Sequence, residues 1–187
     1  MKIGITTLRR ASILAEIALL LILGANAASS AMAESADQVK ARKHPSYQVF
    51  AAKLKLPAIA VLETNTIQIG EQTRFELTSL AQMPAGQRQA VAEGLAVPLA
   101  VVNEFFSRQE GNLNEAGAAS NFAAQLRATA VDYHFLQDWW TRFSPPPQWQ
   151  PLKLDALESL QAGQLAKVWE LYLTLPRPAP PKNLRSE

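Results

Sequence analysis

Seven residues, Phe122, Leu126, Thr129, Tyr133, Leu136, Trp140 and Phe143, follow one another at alternating intervals of four and three. Only an α-helix gathers such positions on one side, because its 3.6-residue turn aligns i, i+3, i+4 and i+7. The stretch therefore reads as one helix from near residue 116 to near Phe143. A second set, Ala124, Ala128, Val131, Phe135 and Trp139, runs beside the first. A surface helix needs one apolar stripe. Two predict a central helix contacted on two sides by other helices. Each large side chain that is fully buried contributes about 1.5–3 kcal/mol, more than any surface pairing offers. The fold class that follows is mainly α: a small helical bundle around a long central helix.

The segments around it fit that bundle. "SPPPQWQP", residues 144–151, forms a connector, since four prolines in eight residues cannot continue a helix. Residues 152–176 read as two short helices turning at Gly163. Leu154, Leu157 and Leu160 or Gln161 share a face in the first, and Leu165, Val168, Trp169 and Tyr172 in the second. This spacing is loosely similar to one helix-turn-helix unit of a tetratricopeptide repeat. No second copy accompanies it and such arrays need several units, so the reading is an αα-hairpin. Upstream, "MPAGQRQAVAEGLAVPLAVVNEFFSRQEG" is helical, with Val91, Leu95, Val102 and Phe105 or Phe106 in a stripe. Pro98 lies in its middle, where proline costs about 3 kcal/mol. Two helices, the second starting near Pro98, or one kinked helix are the alternatives. "EGNLNEAG" reads as a loop. Near 66–78, Ile67 and Ile69, then Phe75 and Leu77, alternate with polar residues around "IGEQT". This predicts a short β-hairpin, with a helical reading of 73–82 in competition.

The ends carry the address. "MKIGITTLRRAS" is basic, "ILAEIALLLILG" is a short apolar run, and small residues lead to "AMA" at Ala31–Ala33. These are the three parts of a secretory signal peptide. The run falls below the roughly 18–20 residues that span a bilayer, and Glu16 interrupts it. Cleavage after Ala33 is expected, with Ala27 the second choice, leaving no stable transmembrane span. The organisation expected is a signal peptide over 1–33, a basic flexible arm over 34–56, a helical domain over 57–175 and a proline-rich tail over 176–187. In that tail Pro178 and Pro181 have the spacing of a proline-recognition ligand, but an ordinary extended, exposed terminus is the reading preferred. The arm holds Lys40, Arg42, Lys43, Lys53 and Lys55 with no acid between them, whereas residues 63–115 are acid-rich. An arm folding back on an acidic surface is the reading preferred over contact with anionic lipid.

Composition excludes several chemistries. Without cysteine there is no disulfide, thiolate ligand or thiol nucleophile. His44 and His134, 90 residues apart, cannot form a zinc-protease motif, and no phosphate-binding glycine loop or G-x-S-x-G elbow is present. No metal or cofactor is expected. Of 18 basic and 16 acidic residues, three and one fall in residues 1–33, so 15 of each remain, and such a neutral balance argues against a nucleic-acid partner. Four residues are the candidates for chemistry. His134 and Asp138 sit at i and i+4, where a carboxylate can orient an imidazole. Asp132 falls between the two apolar stripes, where an unpaired carboxylate is costly. It needs an arginine such as Arg127, Arg142, Arg88 or Arg108, or else it is an acid in an apolar pocket partnered by Glu104. The leading expectation is an exported, non-enzymatic interaction or accessory protein of the bacterial cell envelope, secreted or periplasmic, whose partner is another envelope protein. The alternative is a glycan hydrolase using the paired carboxylates.

Overall fold

A computed structural model describes residues 36–63, 65–109 and 118–175. The signal peptide, the 110–117 loop and the tail of the sequence reading lie outside the described residues. The element order is α1 (Ala36–Arg42), α2 (Pro45–Lys53), β1 (Ile59–Glu63), β2 (Thr66–Ile69), β3 (Thr73–Glu76), a 3-10 turn (Leu77–Gln82), α3 (Ala85–Leu95), α4 (Leu99–Gln109), α5 (Ala118–Arg142), a 3-10 turn (Pro147–Trp149), α6 (Gln150–Gln161) and α7 (Leu165–Thr174). The fold is mainly α with a small antiparallel sheet.

Helix α5 is the centre. It packs against α2, α4, α6, α7 and strands β1 and β2. Phe122, Leu126, Tyr133, Leu136 and Trp140 of the seam are buried, while Thr129 and Phe143 are partly covered. The second stripe needs correction in its N-terminal half. Ala124 is exposed and Ala128 only half-buried, whereas Ala119, Ala123 and Ala130, on the other flank of the seam, are buried. The reason is which neighbours arrive where. Phe105 of α4 meets Phe122 edge-on, with ring centroids 5.2 Å apart, and Phe75 of β3 approaches it at 6.1 Å. Trp169 of α7 stacks on Phe135 half a helix further on, at 5.9 Å. The apolar face therefore winds around α5.

The two helices expected around Pro98 are present. α3 and α4 meet at a bend of 113°. Pro98 immediately precedes the first helical residue, where no backbone donor is required. The break itself is made earlier. Ala96 is left-handed, at φ 52, and Val97 N–H donates to Ala92 O while Ala96 N–H donates to Glu93 O. That is a Schellman cap with alanine where glycine is usual. Left-handed backbone costs an L-residue about 1–2 kcal/mol, partly offset by the entropy that glycine loses on folding. Ala96→Gly is therefore expected to raise stability by about 0.5–1 kcal/mol. Urea unfolding checks this, and a loss in place of a gain would contradict the cap.

The hairpin is part of a three-stranded antiparallel sheet in the order β1-β2-β3. Ile67 pairs with Phe75, Ile69 pairs with Thr73, and Gly70, at φ 60, follows β2 into the turn. Ile67, Ile69, Phe75 and Leu77 are all buried, so the alternation marks the covered face. Strand β1, unforeseen in the sequence reading, adds an outer edge. The competing helical reading survives only as the 3-10 turn after β3.

The αα-hairpin of α6 and α7 turns at Gly163, whose φ is +77. Leu160, Val168 and Trp169 are buried as expected, but Leu154 is 59 % exposed, because α6 presents Ala156 and Ser159 to the core in its place, and Gln161 is exposed apart from its side-chain bond to Tyr133. Lys153 ties the connector together by donating to the Phe143 carbonyl at 2.7 Å and the Thr141 carbonyl at 3.1 Å, at the end of α5.

Burial of Tyr133 raises its phenol above the usual value of 10.0, while a hydrogen bond with the Gln161 side chain pulls the other way. Between pH 10 and the folded value, the native state holds a proton that the unfolded chain has released. Its stabilising contribution is thus complete below that pH and is lost as pH rises further. Tyr133→Phe should flatten the alkaline decline in stability, and ultraviolet titration should lose its late-ionising tyrosine. An unchanged decline would assign it to other groups.

Candidate interaction groove and the buried carboxylate

The arm expected over 34–56 is largely structured. Its described part holds α1 and α2, and the N-terminus of α2 is built by His44 and Pro45. The His44 Nδ1 accepts from Ser46 N–H at 3.3 Å, and Pro45 supplies a preset first helical residue. Ala41 and Tyr47 are buried against the bundle. The apolar signal here is sparse, which is why the sequence reads as an arm. What fixes it is polar and non-local.

Asp132 on α5 is 2 % exposed. Its Oδ1 accepts from Arg42 Nε at 3.0 Å and from the Tyr47 hydroxyl at 2.7 Å. Its Oδ2 accepts from Arg42 Nη2 and from Trp169 Nε1 at 3.1 Å. One carboxylate thus receives a forked guanidinium and two neutral donors, joining α1, α2 and α7 to α5. The fork matches the carboxylate plane, as arginine does wherever both oxygens must be held. Tyr47, Phe135 and Trp169 pack around the ion pair, with Tyr47 edge-on to Phe135 at 5.0 Å. The expectation that Asp132 requires an arginine holds, but the arginine is none of the four named. Arg142 pairs with Asp138 at 2.7 Å and Arg108 pairs with Glu104, each one turn away on its own helix. Arg88 donates to the Leu80 carbonyl at 3.3 Å and lies over Phe106, and Arg127 is exposed.

The remaining candidates are placed just as plainly. Glu104 stands on the exposed side of α4 in its pair with Arg108, so Asp132 and Glu104 belong to separate ion pairs. His134 does not bond Asp138. Its Nε2 lies 2.9 Å from the Leu95 carbonyl, which can only accept, so this nitrogen carries the proton. His134 thereby holds the last carbonyl of α3 beside the strained Ala96. Among the described residues, no three His, Asp or Glu side chains come together as metal ligands.

A wide hollow lies where α2, the end of α5 and the end of α7 diverge. It measures about 670 Å³, within the range of ligand pockets. Phe50, Phe135, Trp139, Phe143, Tyr172 and Leu175 form its walls. Trp139 stacks on Phe143 at 4.7 Å, and Tyr172 stands edge-on to Trp139 at 4.9 Å. His44, Ser46, Asp138 and Arg142 supply polar groups. A second, shallower hollow of about 360 Å³ shares Phe50, Asp138 and Arg142 with the first and continues past them to Leu54 and His134. The Asp138–Arg142 pair thus forms a ridge between two adjoining hollows. Asp132 lines neither. The sequence reading assigned these aromatics to the core. The signal available to it was their excess: the C-terminal half of α5 carries more aromatic surface than its neighbours cover.

Comparison with protein-family models, curated proteins and solved structures gives no match for this chain. The class is therefore defined by the fold and the groove: a mainly α bundle with a small sheet and an aromatic channel beside a buried ion pair. Among the described residues, no single helix is long and apolar enough to cross a membrane.

Proposed function

We propose that this chain is an exported, non-enzymatic accessory protein of the bacterial cell envelope that docks an extended segment of a partner envelope protein in the aromatic groove. The observation that carries the reading is the groove itself. Flat aromatic walls, few polar groups and two hollows in series suit a narrow extended peptide better than a compact substrate. The fates of the chemical candidates support it further. Asp132, Glu104, His134 and Asp138 each have a structural partner. Removal of residues 1–33 as a signal peptide follows from the three-part N-terminal pattern and leaves every described residue in the mature chain.

The test has two arms. Synthetic proline-rich and helical acidic peptides are titrated against the protein, with tryptophan fluorescence as readout. Proline-rich peptides should bind, and Trp139→Ala should abolish the response. No binding by any extended peptide removes the docking reading. N-terminal sequencing of the exported protein should start near Glu34, and a start at Met1 removes the cleavage reading.

A further inference from the structure

Strand β1 lies at one end of the sheet. Gly70 N–H donates to the Ala58 carbonyl at 2.9 Å, and Ile59, Ala60 and Val61 stand opposite Ile69, Gln68 and Ile67. Bonded and non-bonded pairs alternate along an antiparallel ladder. Ala58 and Ala60 therefore turn their backbone groups toward β2, whereas Ile59 and Val61 turn theirs outward. Among the described residues, none bonds those outward groups. Ala60 is exposed, Val61 is 39 % exposed and Leu62 is 45 % exposed. Such an edge is a template for another strand. We infer that its occupant is β1 of a second copy, paired antiparallel about a two-fold axis through Ala60. The two sheets then become one, in the order β3-β2-β1-β1-β2-β3. The inference is independent of the groove, whose walls belong to α2, α5 and α7.

The pairing window, its symmetry and its charge all favour a second copy over a foreign strand. Pro57 has no N–H to give a ladder, and the register of β1 on β2 shifts between Val61 and Glu63. Regular pairing ends at such features, which leaves residues 58–62 with Ala60 at their centre. Ile59 and Val61 stand one place either side of that centre. The axis therefore sets Ile59 of each copy against Val61 of the other, and every outward donor meets an outward acceptor.

The side chains agree with this register. Ile59 and Val61 share the face of their partners Ile69 and Ile67, which are buried. Setting Ile59 beside the second copy's Val61 extends that apolar face over the exposed part of the valine. The flanks are of opposite sign. Lys55, exposed, precedes the strand, and Glu63, also exposed, ends it. Antiparallel self-pairing carries the base of each copy toward the acid of the other, whereas a parallel approach would set like charges together. Glu63 holds Arg74 at 3.2 Å in an exposed pair, which leaves its second oxygen for the incoming lysine.

The chain has no cysteine, so a single introduced one reports the register. Ala60→Cys in the full mature chain should give a disulfide-linked dimer under mild oxidation. Residues facing each other in a non-bonded pair lie about 4.5 Å apart at Cα, within the span of a disulfide. Leu62→Cys would stand roughly 14 Å from its counterpart and should stay unlinked. Sedimentation of the native chain should show a monomer–dimer equilibrium within roughly 5–500 µM. Ala60→Lys and Ala60→Glu should each be monomeric, because like charges then face across the axis, and mixing the two should restore a dimer. Circular dichroism verifies that the three Ala60 variants, altered at an exposed position, keep the fold. A native chain that stays monomeric throughout overturns the inference. So does a dimer that persists in Ala60→Lys, or linkage of Leu62→Cys as fast as Ala60→Cys. Protection of the Ile59 and Val61 amides from exchange in the dilute monomer overturns it too, by placing another segment of the same chain on the edge. The groove reading stands under each of these results, since peptide binding at Trp139 is measured separately.

Discussion

Replacing Asp132 by alanine is expected to lower the unfolding free energy by about 3–5 kcal/mol, because it breaks a buried ion pair from one side and removes the acceptor of two further buried donors. The partly buried Arg42 guanidinium would lose both its bonds to this carboxylate, and the Tyr47 hydroxyl and Trp169 N–H would lose the bonds they donate to it. Asparagine does not rescue the site. Both carboxylate oxygens receive two donors. Whichever way the amide is turned, its NH2 therefore faces a guanidinium N–H of Arg42, which can only donate, and adds repulsion where attraction was lost. Asp132→Asn should thus fall within about 1 kcal/mol of Asp132→Ala. Trp169→Phe, which removes one donor to the carboxylate and trims a buried indole to a phenyl ring, should cost about 1.5–3 kcal/mol for the bond, with a cavity term added. Hydrogen exchange should show where the loss is felt, with the amides of α1 and α2 opening first, since Asp132 joins both to the bundle. Urea unfolding decides the matter. If Asp132→Asn proves nearly as stable as the native chain, the carboxylate is not a structural node.

Gly163→Ala is the second substitution expected to be severe, with a loss above about 3 kcal/mol. Two effects add. The left-handed backbone at φ +77 is itself costly for alanine. The new Cβ would also lie 2.6 Å from the carbonyl carbon and oxygen of Ala100 and 2.9 Å from the Val101 nitrogen. Those atoms form the first turn of α4 and cannot rotate away as a side chain would. Either the α6–α7 turn lifts off α4, or α4 shifts within a close-packed core. The clash is with main chain, so Ala100→Gly should not restore stability in the double variant. Thermal unfolding of the three variants checks this, and full rescue would mean that the contact is with a side chain after all.

Much of the architecture was legible because it depends on local spacing. The four-three rhythm through Leu126, Tyr133, Leu136 and Trp140 can be satisfied only by a helix with one covered side. The alternation of Ile67, Ile69, Phe75 and Leu77 marks the covered face of paired strands, and Gly163 stands where a turn needs positive φ. Less legible was the α3–α4 break. Pro98 drew attention to the right place, but the left-handed residue is Ala96, and nothing in alanine announces that conformation. Strand β1 was missed because "AIAVLE" has no alternation to report, being exposed along most of its length.

The candidate site divides in the same way. Asp132 was recognisable as anomalous, since a carboxylate between apolar stripes must be compensated somehow. Its partners were not recognisable, because Arg42 is 90 positions away and looked like one charge in a basic arm. The groove escaped for a related reason: Trp139, Phe143 and Tyr172 have the periodicity of core residues, and periodicity does not reveal how far neighbouring helices extend.

By itself, then, the order of residues determined the helices from α3 onward, the strand pair and the turn at Gly163, all of which are consequences of side-chain period and backbone restriction within a few residues. The assembled bundle alone decided that α1 closes over Asp132, that the apolar face of α5 changes flank midway, and that aromatic rings of α2, α5 and α7 line a common channel. Those outcomes depend on which surfaces meet across large separations in the chain, and such meetings are set by the competition of all contacts at once.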